Sequence, residues 1–182
     1  MSASPASVLV VGGARSGKSA YAEALVERSG RAPVYLATAG PARDREMVDR
    51  IARHVSRRGD RWRTVEAPLE LAPALVEASR PDTAILLDCA TMWLSNLMEA
   101  GRDTDAAVAE FSTMLAGLPG PVVVVTNEVG HGIVPENALA RAFRDAHGRM
   151  NQRLAAAMDH VVLVVAGRAL VLPKSPVPEI VL

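Results

Sequence analysis

The sequence lacks several features that would tie it to an oxidising compartment or to a nucleic acid. Its 182 residues include one cysteine, Cys89, so a disulfide within the chain and a metal site built from several cysteines are both excluded. Only 3% of the residues are aromatic, and 20 basic residues are balanced by 20 acidic ones. Nucleic-acid motors carry basic patches with interleaved aromatic residues. We therefore expect a protein of the reducing cytoplasm that binds no nucleic acid.

Long apolar runs are missing as well. The longest aliphatic run, VVLVVA at 161–166, is much shorter than the roughly 20 residues that a transmembrane helix needs. The first residues, MSASPAS, carry no basic residue ahead of an apolar stretch, unlike a signal peptide. We expect no membrane span and no targeting segment.

Short apolar runs alternate with segments of helical length. Runs without polar alternation suit strands that are buried on both faces, and their spacing predicts a mostly parallel sheet flanked by helices, which is an α/β fold. The predicted strands are 8–11, 34–37, 84–87, 122–125 and 161–165, with weaker candidates at 64–66 and 169–172, the second as an edge strand. The predicted helices are 18–29, 43–58, 69–79, 91–100, 105–115 and 137–158. We expect one domain over residues 1–182, with terminal tails at 1–7 and 173–182.

A phosphate-binding loop stands between the first predicted strand and helix. Gly12, Gly17, Lys18 and Ser19 match the pattern G-x-x-x-x-G-K-[ST]. In such a loop the backbone N–H groups and the helix N-terminus bind phosphate oxygens, the lysine reaches the outer phosphates, and the serine hydroxyl binds Mg²⁺. The second magnesium ligand is an acidic residue at the end of another buried strand, and AILLD supplies Asp88. The sequence thus predicts a P-loop NTPase that binds a magnesium nucleotide.

The segment after VVVVTN argues against a signalling GTPase. That segment reads EVGHG, so Asn127 is present without the lysine and aspartate of an N-K-x-D motif. The bound nucleotide is therefore expected to serve as a substrate for group transfer. Glu128 and His131 in this segment have no assigned role, and a carboxylate such as Glu128 commonly bonds to loop amides. His147 and His160 are interpreted as structural.

The predicted helix 43–58 carries a histidine among arginines. Arg50, Arg53, Arg57 and Arg58 surround His54 at helical spacing. In one interpretation the arginines are a solvated face and His54 is a boundary residue. In the other, the arginines bind a polyphosphate and disfavour protonation of His54, and the neutral imidazole attacks phosphorus. The residues alone leave both open.

An ordered set of segments resembles one family over residues 8–167. The segments are GGARSGKS, YLAT, R-I-x-x-H, WRTVE, ILLD, TNEVGHGIVPEN and GRMNQRLA. They are similar to the bifunctional adenosylcobinamide kinase / adenosylcobinamide-phosphate guanylyltransferase family of cobalamin biosynthesis. The resemblance implies a RecA-like core, a homotrimer, and ATP, GTP and Mg²⁺ as the nucleotides and metal used. It also implies adenosylcobinamide and adenosylcobinamide phosphate as substrates.

The resemblance also implies roles for particular residues. His54, preceded here by Arg53, corresponds to the histidine that receives GMP, and Lys18 acts in catalysis. Ser19 and Asp88 correspond to the metal ligands. Nucleotide contacts are implied at Gly12, Gly13, Ala14, Arg15, Ser16, Gly17, Lys18, Ser19, Ala37, Thr38, Ala39, Val55, Arg57, Arg58, Glu66 and Asp88.

Two alternatives remain at this stage. One is a single-function small-molecule kinase in which His54 is structural, and the other is a regulator that holds GTP without transferring it. A covalent guanylyl adduct would distinguish the bifunctional enzyme from both.

Overall fold

The computed structural model describes residues 6–40 and 58–174. The predicted helix 43–58 lies, except for Arg58, outside these residues. In chain order the described elements are β1 (Ser7–Gly12), α1 (Lys18–Arg28), β2 (Ala32–Ala37), β3 (Arg63–Glu66), α2 (Leu71–Ala78), β4 (Thr83–Asp88), α3 (Ala90–Glu99), α4 (Thr104–Leu115), β5 (Val122–Asn127), α5 (Ala138–Ala157), β6 (His160–Val165) and β7 (Arg168–Leu172).

The strands form one seven-stranded sheet in the order β3-β2-β4-β5-β1-β6-β7. All neighbouring pairs from β3 to β6 are parallel, and β7 alone runs antiparallel, against β6. The mostly parallel sheet that the apolar runs predicted is therefore confirmed. The two weaker candidates are the two edge strands, which explains their weak signal, because an edge strand buries less apolar surface.

Alternate residues of each central strand face opposite sides of the sheet. On β5, Val123 and Val125 pack in the cluster that includes Ala22 and Val26 of α1. The intervening Val122 and Val124 pack in the larger cluster under α2 to α5. That cluster contains Trp93 and Phe111, whose ring centroids are 5.4 Å apart. The side of the sheet that a strand-end residue faces can therefore be read from its parity.

Side-chain caps explain where two of the described helices begin. The Asp103 side chain accepts a hydrogen bond from Ala106 N at the start of α4, and Asn137 accepts from Leu139 N and Ala140 N at the start of α5. Helix α5 continues through Gly148, where an added Cβ would meet no atom within 4 Å. None of the helices in the described ranges is long and apolar enough to cross a membrane.

Candidate active site

The loop between β1 and α1 has the conformation that phosphate binding requires. Its backbone turns through Arg15, at φ 56°, and Gly17, at φ 96°. Ser16 N donates to Gly13 O at 3.3 Å, which closes the turn. At Gly12 a Cβ would lie 2.5 Å from Ser16 Oγ and 2.6 Å from the Val164 carbonyl oxygen, so the position has no room for a side chain. The glycines of the motif are thus explained by both torsion angle and space.

The turn between β6 and β7 supports this loop. Gly167 N donates to Ser16 O at 2.8 Å. The two segments approach so closely that a Cβ on Gly17 would lie 3.1 Å from Gly167 Cα. Gly167 has φ 75°, a left-handed conformation that favours glycine. This support was not predicted from the sequence, whose only signal for it was a glycine between two predicted strands.

Lys18 lies across the loop that it follows. Its side chain is buried, with 6% of the residue exposed, and its ammonium donates to Gly13 O at 3.1 Å. Ser19, the next residue, stands in the first turn of α1. Lys18 and Ser19 therefore begin the helix that follows the loop, where backbone N–H groups suit phosphate oxygens.

Asp88 ends β4 on the α1 side of the sheet. It has the parity of Ala84 and Leu86, which pack in the α1 cluster. Its Oδ2 atom is buried and has no hydrogen-bond partner among the described residues, and the same holds for Ser16 Oγ. A buried carboxylate oxygen without a partner is costly unless a cation or a donor reaches it.

These residues fit a magnesium nucleotide. Mg²⁺ in such sites takes one or two carboxylate or hydroxyl ligands from the protein and completes its shell with substrate phosphates and waters. Asp88 and Ser19 offer that donor set beside the loop. Within residues 6–40 and 58–174, no group of three or more His, Cys, Asp or Glu side chains is arranged to hold a metal by itself. The nucleotide would therefore supply part of the coordination.

Thr38 ties the end of β2 to the residue after Asp88. It is fully buried, and its hydroxyl donates to Cys89 O at 2.8 Å while accepting from Cys89 N at 2.9 Å. Asn96 Nδ2 of α3 donates to Thr38 O at 2.7 Å. Ala37 and Ala39 flank this threonine, so the predicted contact segment 37–39 adjoins the end of β4.

Arg58 stacks on Tyr35 beside Asp88. The guanidinium carbon lies 3.3 Å from the ring centroid, and the arginine is 9% exposed. The Tyr35 hydroxyl donates to Asp88 O at 3.3 Å. Burial, reinforced by the negative charge of Asp88, raises the pKa of Tyr35, so the phenol stays protonated and keeps this bond. A desolvated cation–π contact contributes up to about 2 kcal/mol. Arg58 is therefore a fixed cation at the rim of the site.

Glu66 lies at the end of β3, at the edge of the sheet. In register it is level with Ala37, which is in turn level with Asp88. Four strand spacings separate β3 from β1, about 19 Å at the usual spacing. The loop and Asp88 thus lie at the carboxyl ends of strands that are two spacings apart, and residues 37–39 and Arg58 lie beside Asp88. Glu66 is farthest from the loop along this end of the sheet. His54, Val55 and Arg57 lie outside the described residues.

Glu128 and the remaining histidines lie in different environments. Glu128 Oε1 accepts from Gly130 N at 2.5 Å, the loop-amide role expected of it. His147 is fully buried between α5 and the sheet, and burial lowers its pKa while Glu128 opposes that shift. His131 is exposed in the loop after β5, and His160 is exposed at the start of β6.

Two solved structures share the overall fold. A structural study of the protein PH0250 from Pyrococcus horikoshii superimposes with a TM-score of 0.55 at 9% identity, over 91% of this chain and 85% of that one. The crystal structure of the RadB recombinase gives a TM-score of 0.51 at 13% identity, over 88% of this chain and 74% of that one. The RecA-like core predicted from the resemblance is thereby confirmed.

Sequence comparison identifies the family. The family model described as cobinamide kinase / cobinamide phosphate guanyltransferase matches residues 8–172. Two relatives bear the name bifunctional adenosylcobalamin biosynthesis protein CobU. The protein from Salmonella typhimurium is 46% identical, and the one from Escherichia coli is 45% identical, each over 88% of this chain and 96% of the relative. CobP of Pseudomonas aeruginosa is 41% identical over 92% of this chain and 98% of the relative. The chain therefore belongs to the cobinamide kinase / cobinamide phosphate guanyltransferase family.

Proposed function

We propose that this protein phosphorylates adenosylcobinamide and then transfers GMP from GTP to the product, giving adenosylcobinamide-GDP. The observation that carries the proposal is the pairing of the phosphate loop with Asp88, whose buried Oδ2 has no partner among the described residues, in a chain of this family. The description of the family, cobinamide kinase / cobinamide phosphate guanyltransferase, supplies the substrates. We further propose that the enzyme works in the cytoplasm as a homotrimer with ATP or GTP and Mg²⁺.

In the kinase step, the hydroxyl oxygen of the aminopropanol arm of adenosylcobinamide attacks the γ-phosphorus. The bond from that phosphorus to the bridging oxygen breaks, the nucleoside diphosphate leaves, and the hydroxyl proton passes to solvent. The loop N–H groups and Lys18 stabilise the charge on the phosphoryl oxygens. Ser19 and Asp88 would hold Mg²⁺, which neutralises phosphate charge when bound.

In the guanylyltransferase step, an unprotonated ring nitrogen of His54 attacks the α-phosphorus of GTP. A phosphorus–nitrogen bond forms, pyrophosphate leaves, and the proton on the other ring nitrogen is released. A phosphate oxygen of adenosylcobinamide phosphate then attacks the same phosphorus, the phosphorus–nitrogen bond breaks, and the imidazole recovers its proton. The covalent route divides one difficult transfer into two easier ones.

The position of Arg58 supports this role of His54. His54 precedes Arg58 by four residues. Four residues of chain reach at most about 14 Å even when fully extended. The Arg58 guanidinium lies on Tyr35, whose hydroxyl bonds to Asp88 O, so a short connection joins the proposed nucleophile to a residue beside the site.

Product analysis in two stages tests the proposal. With ATP, the wild-type protein should convert adenosylcobinamide to its phosphate, and added GTP should convert the phosphate to adenosylcobinamide-GDP. We expect His54→Ala to stop at the phosphate, whereas His160→Ala, a change at an exposed histidine outside the site, should complete both stages. Formation of adenosylcobinamide-GDP by His54→Ala at the wild-type rate would contradict the covalent route.

A further inference from the structure

A buried polar network lies on the face of the sheet opposite α1. His147 Nε2 of α5 is 3.0 Å from Thr91 Oγ1 of α3 and 3.4 Å from Thr126 Oγ1 of β5. The Thr126 hydroxyl donates to Asn151 Oδ1 at 2.8 Å. His147 and Thr126 are fully buried, and Thr91 nearly so. Polar side chains at this depth are costly unless they are bonded, and a bonded network of this kind makes its surroundings rigid.

The network holds both backbone polar groups of Asn127, the last residue of β5. Asn127 N donates to Thr91 Oγ1 at 2.9 Å, and Asn127 O accepts from Asn151 Nδ2 at 3.0 Å. Side chains from α3 and α5 therefore fix the strand end. His147, also in α5, bonds to the Thr91 hydroxyl and so connects the two helices.

The Asn127 side chain faces the other way, toward the phosphate loop. It has the parity of Val123 and Val125, which pack in the α1 cluster. In register Asn127 is level with Gly12, and the next residue, Glu128, donates its N–H to Gly12 O at 3.1 Å. Asn127 thus ends the strand that lies between those leading to the loop and to Asp88, two residues beyond the position level with Asp88. Its amide makes no hydrogen bond to another described residue, although its backbone is fully bonded.

We propose that the Asn127 side-chain amide donates a hydrogen bond to the phosphoryl group transferred in the kinase step, with Thr91, Asn151 and His147 as positioning residues. The inference rests on the proposed function. The amide takes no proton and forms no covalent bond; it stabilises charge on a phosphoryl oxygen. A donor held in place before the reaction needs no reorganisation when that charge develops.

Burial contributes to the same arrangement. It lowers the pKa of His147, so the imidazole is neutral and keeps one nitrogen as an acceptor and one as a donor. The neutral ring can therefore form the second hydrogen bond of the Thr91 hydroxyl, beside the one from Asn127 N, without bringing a charge into the core.

Four variants test the proposal by steady-state kinetics of adenosylcobinamide phosphorylation with ATP. Asn127→Ala should lower kcat about 100-fold and change the KM for ATP less than about threefold, because the contact forms with the transferring group. Thr91→Val, which removes the hydroxyl but keeps the shape, should lower kcat about tenfold. Thr91→Ser should restore it. Thr113→Val is the control, since Thr113 is an exposed residue of α4 whose hydroxyl donates to the backbone carbonyl of Ala109.

A double variant separates positioning from a general structural effect. If Thr91 acts through Asn127, Thr91→Val added to Asn127→Ala should slow the reaction no further. Multiplied losses would overturn the positioning role of Thr91, and an unchanged kcat in Asn127→Ala would overturn the contact itself. Both results presuppose an active wild type. A wild type that phosphorylates no adenosylcobinamide would overturn the proposed function first and the inference with it.

Discussion

At Asp88, a single substitution tests whether the negative charge of the side chain is needed to bind Mg²⁺. Asp88→Asn keeps the side-chain volume but replaces the buried Oδ2 charge with an amide, so Mg²⁺ should bind less tightly once nucleotide is present. We expect kcat for phosphorylation to fall at least 100-fold and the magnesium concentration for half-maximal rate to rise. Titration of the rate with Mg²⁺ measures both. Asp82→Asn, at an exposed turn, is the control, and a wild-type magnesium dependence in Asp88→Asn would exclude it as a ligand.

For Glu66, the preference of the protein for GTP over ATP tests whether the side chain contacts the guanine base. Guanine presents N–H donors on its pairing edge where adenine presents an acceptor, so a carboxylate at the guanine site favours GTP. We expect Glu66→Gln to weaken GTP binding about tenfold and leave ATP binding within about twofold. Equilibrium binding of both nucleotides tests this. Glu77→Gln, at an exposed position of α2, should change neither, and an equal loss for both nucleotides would show that Glu66 does not read the base.

Site residues in a short motif or at the end of an apolar run could be predicted from the sequence, and those that depend on strand order could not. Lys18 and Ser19 belong to one short motif, and Asp88 ends an obvious apolar run. Tyr35, Gly167 and Asn127 reach the site only because strands far apart in sequence become neighbours. No spacing rule connects Tyr35 to Arg58 across residues 36–57, and the stacking of their side chains is visible only in the structure.

The conformation of the phosphate loop leaves no room for a side chain at Gly12, its first glycine. A Cβ added at Gly12 would press on the Val164 carbonyl, which is fixed in β6, as well as on the more adaptable Ser16 hydroxyl. We expect Gly12→Ala to lower the free energy of unfolding by about 1–3 kcal/mol. Urea unfolding without nucleotide is the measurement. Gly13→Ala, where an added Cβ meets no atom within 4 Å, should change stability much less, and equal losses in both variants would contradict this explanation.

The start of β1 is tied to the turn before β6 by Asp159. Its carboxylate accepts from Ser7 N at 2.9 Å and Ser7 Oγ at 2.8 Å, and these bonds lower the pKa of Asp159 below its ordinary value of 3.8. A depressed carboxyl pKa contributes stability that is present above 3.8 and is lost as the pH falls through the folded-state value. The tether should therefore weaken only in strong acid.

We expect Asp159→Asn to be less stable than the wild type at pH 7 and to approach it as the pH falls below about 3.8. Urea unfolding of the two proteins at several pH values measures the difference. Asp145→Asn, at an exposed carboxylate on α5, provides the control. A stability difference between Asp159→Asn and the wild type that does not depend on pH would contradict the assignment to this carboxylate.

Secondary structure was predictable because buried parallel strands are short aliphatic runs and the helices between them have clear limits. For example, the helices predicted at 91–100 and 105–115 are observed as Ala90–Glu99 and Thr104–Leu115, within one residue at each end. Strand order was not predictable in the same way. That β5 separates β1 from β4 depends on crossovers between distant segments, and this order puts the strand that ends at Asn127 between those leading to the loop and to Asp88.

At the scale of the whole molecule, apolar side chains remain uncovered in the single chain. Ile133 is 98% exposed after β5, and Leu170 and Val171 are 60% and 62% exposed on β7. In the homotrimer proposed from the family, contacts between subunits could bury such apolar side chains. Light scattering on the purified protein should give three times the chain mass of 19.2 kDa, and a mass equal to one chain at micromolar concentration would contradict the trimer.

The claim that one chain carries both transfers is tested most directly by intact-protein mass after incubation with GTP and Mg²⁺ without corrinoid. We predict that the wild type and His160→Ala each gain the mass of one GMP unit, and that His54→Ala gains none. The sample should be kept from acid, because phosphorus–nitrogen bonds are labile. If the wild type binds GTP but gains no mass, His54 is not the nucleophile and the account of guanylyl transfer is contradicted.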